Sequence, residues 1–149
     1  FEEINQNFET DFLIIGEGRL KNKIEKNCRK KNLNITFTGK LPHEKISYYL
    51  NAMDVLILPS RNEGFPCVVL EAQACGVPVV GSNNGGIPEA IGEGGIVVNE
   101  GENFEKRFAE GVIKILKNPI DKNFLRNRAT EYSWNNITKM EFDIYQNFF

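Results

Sequence analysis

Two carboxylates eight residues apart, Glu63 and Glu71, are the residues of this sequence best placed by type and spacing to do chemistry. Between them runs the apolar stretch Pro66-Cys67-Val68-Val69-Leu70, whose pattern predicts a helix. The free amides and the dipole at a helix N-terminus favour a phosphate. Pro66 brings no N–H, so the donors would come from Gly64, Phe65, Cys67 and Val68. An ionised carboxylate is a strong acceptor for the vicinal hydroxyls of a sugar or ribose ring. A phosphate at the helix start, with hydroxyls at each carboxylate, describes a nucleotide sugar. A plainer assignment makes Glu63 a hydrated loop residue and Glu71 an ion-paired core residue, and the residue types alone leave both open.

The elements around these residues say where they stand. Val55 to Leu58 is a continuous apolar run ended by Pro59, which predicts a strand buried on both faces. A polar loop, Ser60 to Gly64, leads to the helix, with Pro66 suited to its first turn and Gly76 to its stop. Glu71 is the only charge on that helix, so it belongs at the inner end of a cleft; burying it unpaired would cost roughly several kcal/mol. Upstream, Phe12–Ile15 and Ile35–Thr38 predict strands closed by Gly16 and Gly39. Each is followed by a helical pattern, the first from Arg19 to Lys31 and the second from Pro42 to Met53. Downstream come a strand at Pro78–Gly81, the loop Asn83–Gly86, a short helix at Ile87–Ile91 and a strand at Gly94–Val98. Helices then follow at Phe104–Leu116, with Gly111 as a weak point, at 121–131, and at 133–148 with Ser133 as N-cap. The apolar stripe of the closing helix reads as core, or as a surface for a further domain.

Strands alternating with helices predict an α/β fold, a doubly wound, Rossmann-like parallel sheet, as one domain over residues 1–149. In such sheets ligands bind beyond the carboxyl ends of the strands. The loops after Ile15, Thr38, Leu58 and Val80 share that edge and bring Gly16, Gly39, Glu63–Gly64 and Gly85–Gly86 toward one crevice.

Composition narrows the function classes. The chain has 149 residues, 41% of them hydrophobic, and a net charge of −2. That charge makes no electrostatic case for nucleic acid. No apolar run reaches the roughly 18 residues of a membrane span. The three cysteines, Cys28, Cys67 and Cys75, form neither an even disulfide set nor a C-x-x-C pair, and a reducing, cytoplasmic setting is the simpler reading. Seven basic residues between Arg19 and Lys31 read as a solvated outer face, with peripheral contact to the inner face of an anionic membrane as the second reading. Gly16-Glu17-Gly18 lacks the third glycine of the dinucleotide fingerprint, and there is no P-loop, no nucleophile elbow and no Cys/His zinc cluster. His43, the only histidine, stands at a helix start with no acid/base partner beside it in sequence, which favours a structural use.

The stretch Glu63-Gly-Phe-Pro-Cys-Val-Val-Leu-Glu71 resembles the E-x7-E motif of the retaining GT-B glycosyltransferases of family 4, the group 1 transferases. Gly39-Lys-Leu-Pro-His-Glu, Ala52-Met-Asp-Val-Leu-Ile-Leu-Pro-Ser, Glu71-Ala-Gln-Ala-Cys-Gly-Val-Pro-Val-Val, Gly85-Gly-Ile-Pro-Glu and the Ser133-Trp134 helix agree, so the resemblance covers essentially the whole chain. It implies the C-terminal, donor-binding half of such an enzyme, transferring a hexose with retention and without a metal or cofactor. Glu63 would act on the donor sugar, held also by Gly64, Phe65, Pro66 and Cys67. Glu71 would bind the ribose, Val68 would face the diphosphate, Gly39, Lys40 and Leu41 would contact the base, and Gly16 would let the backbone approach the nucleotide. Glu89 is expected to be structural. The family's diphosphate-binding Arg and Lys, carried on a first strand–loop–helix unit, have no counterpart here, and Arg19, Lys40 and Arg61 do not match their positions. An N-terminal acceptor domain is the expected partner, and the chain alone is expected to be inactive. A UDP-sugar 2-epimerase of the same architecture and a non-catalytic nucleotide-sugar module are the alternatives.

Overall fold

The computed structural model describes residues 1–147. From the N-terminus its elements are α1 (Glu2–Asn7), β1 (Phe12–Ile15), α2 (Lys21–Lys30), β2 (Ile35–Gly39), α3 (His43–Asn51), β3 (Leu56–Leu58) and α4 (Cys67–Ala74). They continue with β4 (Val79–Ser82), α5 (Ile87–Ile91), β5 (Gly95–Val98), α6 (Phe104–Lys117), α7 (Lys122–Glu131) and α8 (Trp134–Gln146). All strand pairs are parallel, as the alternation of strands and helices requires.

The strands do not form one continuous ladder. β1 pairs with β2, with Phe12 opposite Ile35, while β3, β4 and β5 pair in that order, with Leu56 opposite Val79 and Val79 opposite Gly95. Among the described residues no ladder joins β1 to β3. This corrects the expectation for Val55–Leu58: β3 has only three residues, each half-buried, because it is an edge strand. The strand buried along its whole length is β4, which has neighbours on both edges.

Alternation along β4 divides the core between its two faces. Val80 packs with Ile4, Phe12, Val98, Phe108, Val112 and Ile115. Val79 packs with Leu50, Val69, Ala72, Ile87 and Ile91. Helices therefore cover both sides, which is why β4 reads as a continuous apolar run. Gly111 is no weak point: a Cβ there would lie 3.2 Å from Val80 Cγ1, so the glycine lets α6 lie close on the sheet.

Helix α8 begins where expected, its Ser133 hydroxyl accepting from the Asn136 amide, but no residue of it is buried. Trp134, Met140, Phe142, Ile144 and Tyr145 are all exposed, so its apolar stripe is not core in this chain. Residue 148, the expected end of the helix, lies outside the described residues. Among the described residues no helix is long and apolar enough to cross a membrane.

Candidate functional site

The loop from β3 into α4 is held by its neighbours rather than by itself. The Ser82 hydroxyl at the end of β4 donates to the Ser60 carbonyl, tying the two strand ends together. The Gly86 amide donates to the Gly64 carbonyl at 2.7 Å. Gly85 has φ +53°, and a Cβ on it would sit 1.9 Å from the Glu63 carbonyl oxygen; a Cβ on Gly86 would sit 2.2 Å from that of Gly64. The two glycines thus form the floor on which the Glu63–Phe65 turn rests. The Phe65 ring stacks at 5.8 Å on Tyr132, the residue that caps the end of α7, which gives the turn a further support. Arg61 and Asn84 both reach Glu100, at 4.0 and 3.0 Å, linking the loops after β3, β4 and β5.

Pro66 is the N-cap of α4 rather than its first helical residue, with φ −78° and ψ 102°. Extended backbone there turns the chain sharply into the helix, and Pro66 itself is buried. The amides of Gly64, Phe65, Cys67 and Val68 make no backbone hydrogen bond among the described residues, leaving them free at the positive end of α4. Glu63 is half-buried beside them, Cys67 is exposed and Val68 is half-buried.

Glu71, a turn further along α4, keeps its side chain 35% exposed. It is neither a core ion pair nor bare. His43 Nε2, from the first turn of α3, lies 3.0 Å from Glu71 Oε1. The bond to Glu71, then that carboxylate's charge, hold the imidazole above its ordinary value, partly offset by desolvation. The absence of an acid/base partner near His43 in sequence is therefore overturned by a contact across 28 positions. No local signal announced it, because two helices must pack before the pair exists.

On the β1–β2 side, the Gly16 amide donates to the Gly39 carbonyl at 2.9 Å, closing the two loops against each other. Gly16 is half-buried with φ +117° and Gly39 buried with φ +69°. Lys40 is exposed and Leu41 half-buried, between that bridge and His43. Gly39–Leu41 stand just before His43 in the chain, and the structure brings His43 to Glu71 and Glu63–Gly64 onto Gly85–Gly86. The basic residues Lys26, Arg29 and Lys30 of α2 are exposed along that helix.

A support that the sequence did not disclose lies beneath α4. Gln73, fully buried, donates to the Ile91 carbonyl at 3.0 Å and accepts from Arg128 at 2.5 Å. Arg128 also donates to the Ala90 and Glu89 carbonyls, at 2.8 and 3.0 Å, satisfying the C-terminal end of α5. It is Glu89's backbone, not its side chain, that enters this network.

The family model for glycosyl transferases group 1 matches residues 1–133. The chain belongs to the group 1 glycosyl transferases. The GT-B family resemblance carried by the E-x7-E stretch is therefore correct, and group 1 members are similar to this chain along most of its length. A GDP-mannose-dependent monoacylated alpha-(1-6)-phosphatidylinositol monomannoside mannosyltransferase of Corynebacterium glutamicum is 34% identical over 119 residues, 75% of this chain and 31% of that protein. The O-antigen chain mannosyltransferase B of Escherichia coli is 31% identical over 116 residues, covering 75% of this chain and 30% of its own length. The chain thus spans about a third of such relatives. Among solved structures, the pneumococcal O-GlcNAc transferase GtfA in complex with UDP and GlcNAc shares the fold, with a TM-score of 0.82 over 98% of this chain and 31% of that one, at 15% identity. A sucrose-phosphate synthase from Thermosynechococcus elongatus gives 0.71 at 29% identity, over 91% of this chain and 38% of its own. The doubly wound α/β architecture is the one these transferases use.

Proposed function

We propose that this domain binds a nucleoside-diphosphate hexose and presents it for retaining, metal-independent transfer to an acceptor held by a separate N-terminal domain. The observation that carries the reading is the start of α4, where free amides stand between Glu63 and Glu71 on the loop edge of the sheet. In this reading Glu63 accepts hydroxyls of the donor sugar, supported by Gly64, Phe65, Pro66 and Cys67, and Glu71 accepts those of the ribose. The Val68 amide faces the diphosphate, Gly39, Lys40 and Leu41 contact the base, and Gly16 keeps the backbone out of the nucleotide's way. Stabilising the leaving diphosphate is the largest catalytic demand, because charge develops there as the glycosidic bond breaks. The helix dipole meets part of it, and cations from outside these elements meet the rest.

The division of the sheet supports a place for those cations. β1 and β3 each pair along one edge only and are unpaired with each other, although both strands border one apolar core. In a doubly wound sheet the chain reverses its strand order about such a point, and ligands bind there. A further parallel strand between β1 and β3, with its own loop and helix, would complete the sheet and bring its C-terminal loop beside the start of α4. This is where we place the Arg and Lys of the family. The domain alone is accordingly inactive. Cys28, Cys67 and Cys75 are free thiols, which fits a cytoplasmic site of reaction.

The test is transfer by the full-length protein from a panel of UDP-, GDP- and ADP-hexoses, with the product's anomeric configuration read by NMR. Retention with one donor, and loss of most turnover in Glu63→Gln, is the expected result. Inversion, or unchanged kinetics in Glu63→Gln, contradicts the reading.

A further inference from the structure

Helices α3 and α4 meet along a polar seam with a regular register. His43, Ser47 and Asn51 stand four apart on α3, and Glu71 of α4 is followed four positions on by Cys75, the residue that caps that helix with near-helical backbone. His43 holds Glu71, the Asn51 amide reaches Cys75 Sγ at 3.4 Å, and Cys75 Sγ lies 4.0 Å from the Ser47 carbonyl. Beneath the seam, Leu50 and Val69 are buried together in the core. Residues four apart on a helix share a face, so packing of the two helices fixes where the His43 backbone stands relative to Glu71. The imidazole contact is therefore the outermost rung of a built interface, not a chance meeting of two surface side chains.

We propose that His43 is a positioning residue for nucleotide recognition: it holds one oxygen of Glu71 so that the carboxylate presents its other oxygen to the ribose hydroxyls. The inference rests on the reading of Glu71 as the ribose acceptor. A carboxylate on a half-exposed side chain samples several rotamers, and only some direct an oxygen at a vicinal diol. One hydrogen bond to Oε1 removes most of that freedom while leaving Oε2 to accept. His43 also stands two residues beyond the Gly39–Leu41 turn, so one short segment links the base side of the site to the ribose carboxylate. The charged groups facing the imidazole are Glu71 from α4 and Glu44 from α3 itself, and Arg126 of α7 faces Cys75, the next rung. Both carboxylates favour the imidazolium, which clamps Glu71 by a charge-assisted bond. The charge assistance is complete below the ordinary imidazole range and is lost as pH rises through the raised value, which leaves a weaker bond from a neutral N–H, so nucleotide affinity falls in that direction.

The experiment measures, by calorimetry on the full-length protein, the affinity for the ribonucleoside diphosphate of the preferred donor and for its 2′,3′-dideoxy analogue between about pH 6 and 8.5. Because the pair is solvent-exposed, His43→Ala weakens binding of the ribonucleotide by only about two- to fivefold. It leaves binding of the dideoxy analogue unchanged and flattens the pH profile. His43→Gln, which keeps a neutral donor, restores affinity near pH 8 but stays flat with pH. Equal losses for both ligands, no loss for either, or an unaltered pH profile overturns the proposal. Glu71→Gln separates the layers. If it discriminates ribose from dideoxyribose as the wild type does, the ribose site itself is elsewhere; if it loses that discrimination while His43→Ala does not, only the role of His43 falls.

Discussion

Replacing Gly86 by alanine tests how the donor turn is held. The new Cβ would lie 2.2 Å from the Gly64 carbonyl oxygen, 3.1 Å from its carbon and 3.2 Å from Phe65 Cα. All three are backbone atoms, so no side chain can swing away. Ordinary contact begins at 3.4 Å, and the turn must therefore retreat by about an ångström. Overpacking of this kind costs about 1–3 kcal/mol. At roughly 2–4 °C per kcal/mol for a domain of this size, the Tm of its transition drops by about 2–12 °C. The same displacement carries Glu63 away from the proposed sugar position, where a 1 Å misplacement would cost about a hundredfold in rate. Gly64→Ala is the control, because a Cβ there meets nothing within 4 Å; it changes stability by less than about 0.5 kcal/mol. Differential scanning calorimetry and the transfer assay read the two effects. A Gly86→Ala protein that melts and turns over like the wild type refutes the claim that Gly86 is the floor of the turn, as does a Gly64→Ala protein whose Tm falls equally.

Gln73→Ala removes a fully buried amide and leaves an Arg128 N–H without its partner, while the Ile91 carbonyl keeps the Gly94 amide; urea denaturation should show a loss of about 1–3 kcal/mol for the group left unpaired. Iodoacetamide should modify exposed Cys67 first, Cys75 more slowly because burial raises its thiol, and buried Cys28 last. A bound nucleotide sugar should slow the reaction at Cys67 specifically, as peptide mass spectrometry can measure.

Much of this was legible in the residues, for definite reasons. Strands and helices were marked by apolar runs and by Gly and Pro at their ends, and the Glu63–Glu71 stretch lies wholly within one loop–helix unit. Local pattern reaches that far. It does not reach contacts that exist only after packing. His43 finds Glu71 across the α3–α4 interface, and Arg128 satisfies carbonyls 38 and 39 positions away. Burial was misassigned wherever it depends on neighbours. The apolar run at Val55–Leu58 lies at the edge of a broken ladder, so its strand is only half-buried. The stripe on α8 faces solvent because no other element among the described residues covers it. Gly111 looked like a helix defect and is a close contact with Val80, a distinction that needs the sheet.

The central claim is that a nucleotide sugar sits at the start of α4 between Glu63 and Glu71. Hydrogen–deuterium exchange on the full-length protein, with and without the hexose donor it prefers, locates the ligand directly. The account predicts slowed exchange at the free amides of Gly64, Phe65, Cys67 and Val68, with weaker protection over Gly39–Leu41. Saturating donor that leaves residues 63–71 exchanging at their unliganded rate would contradict it.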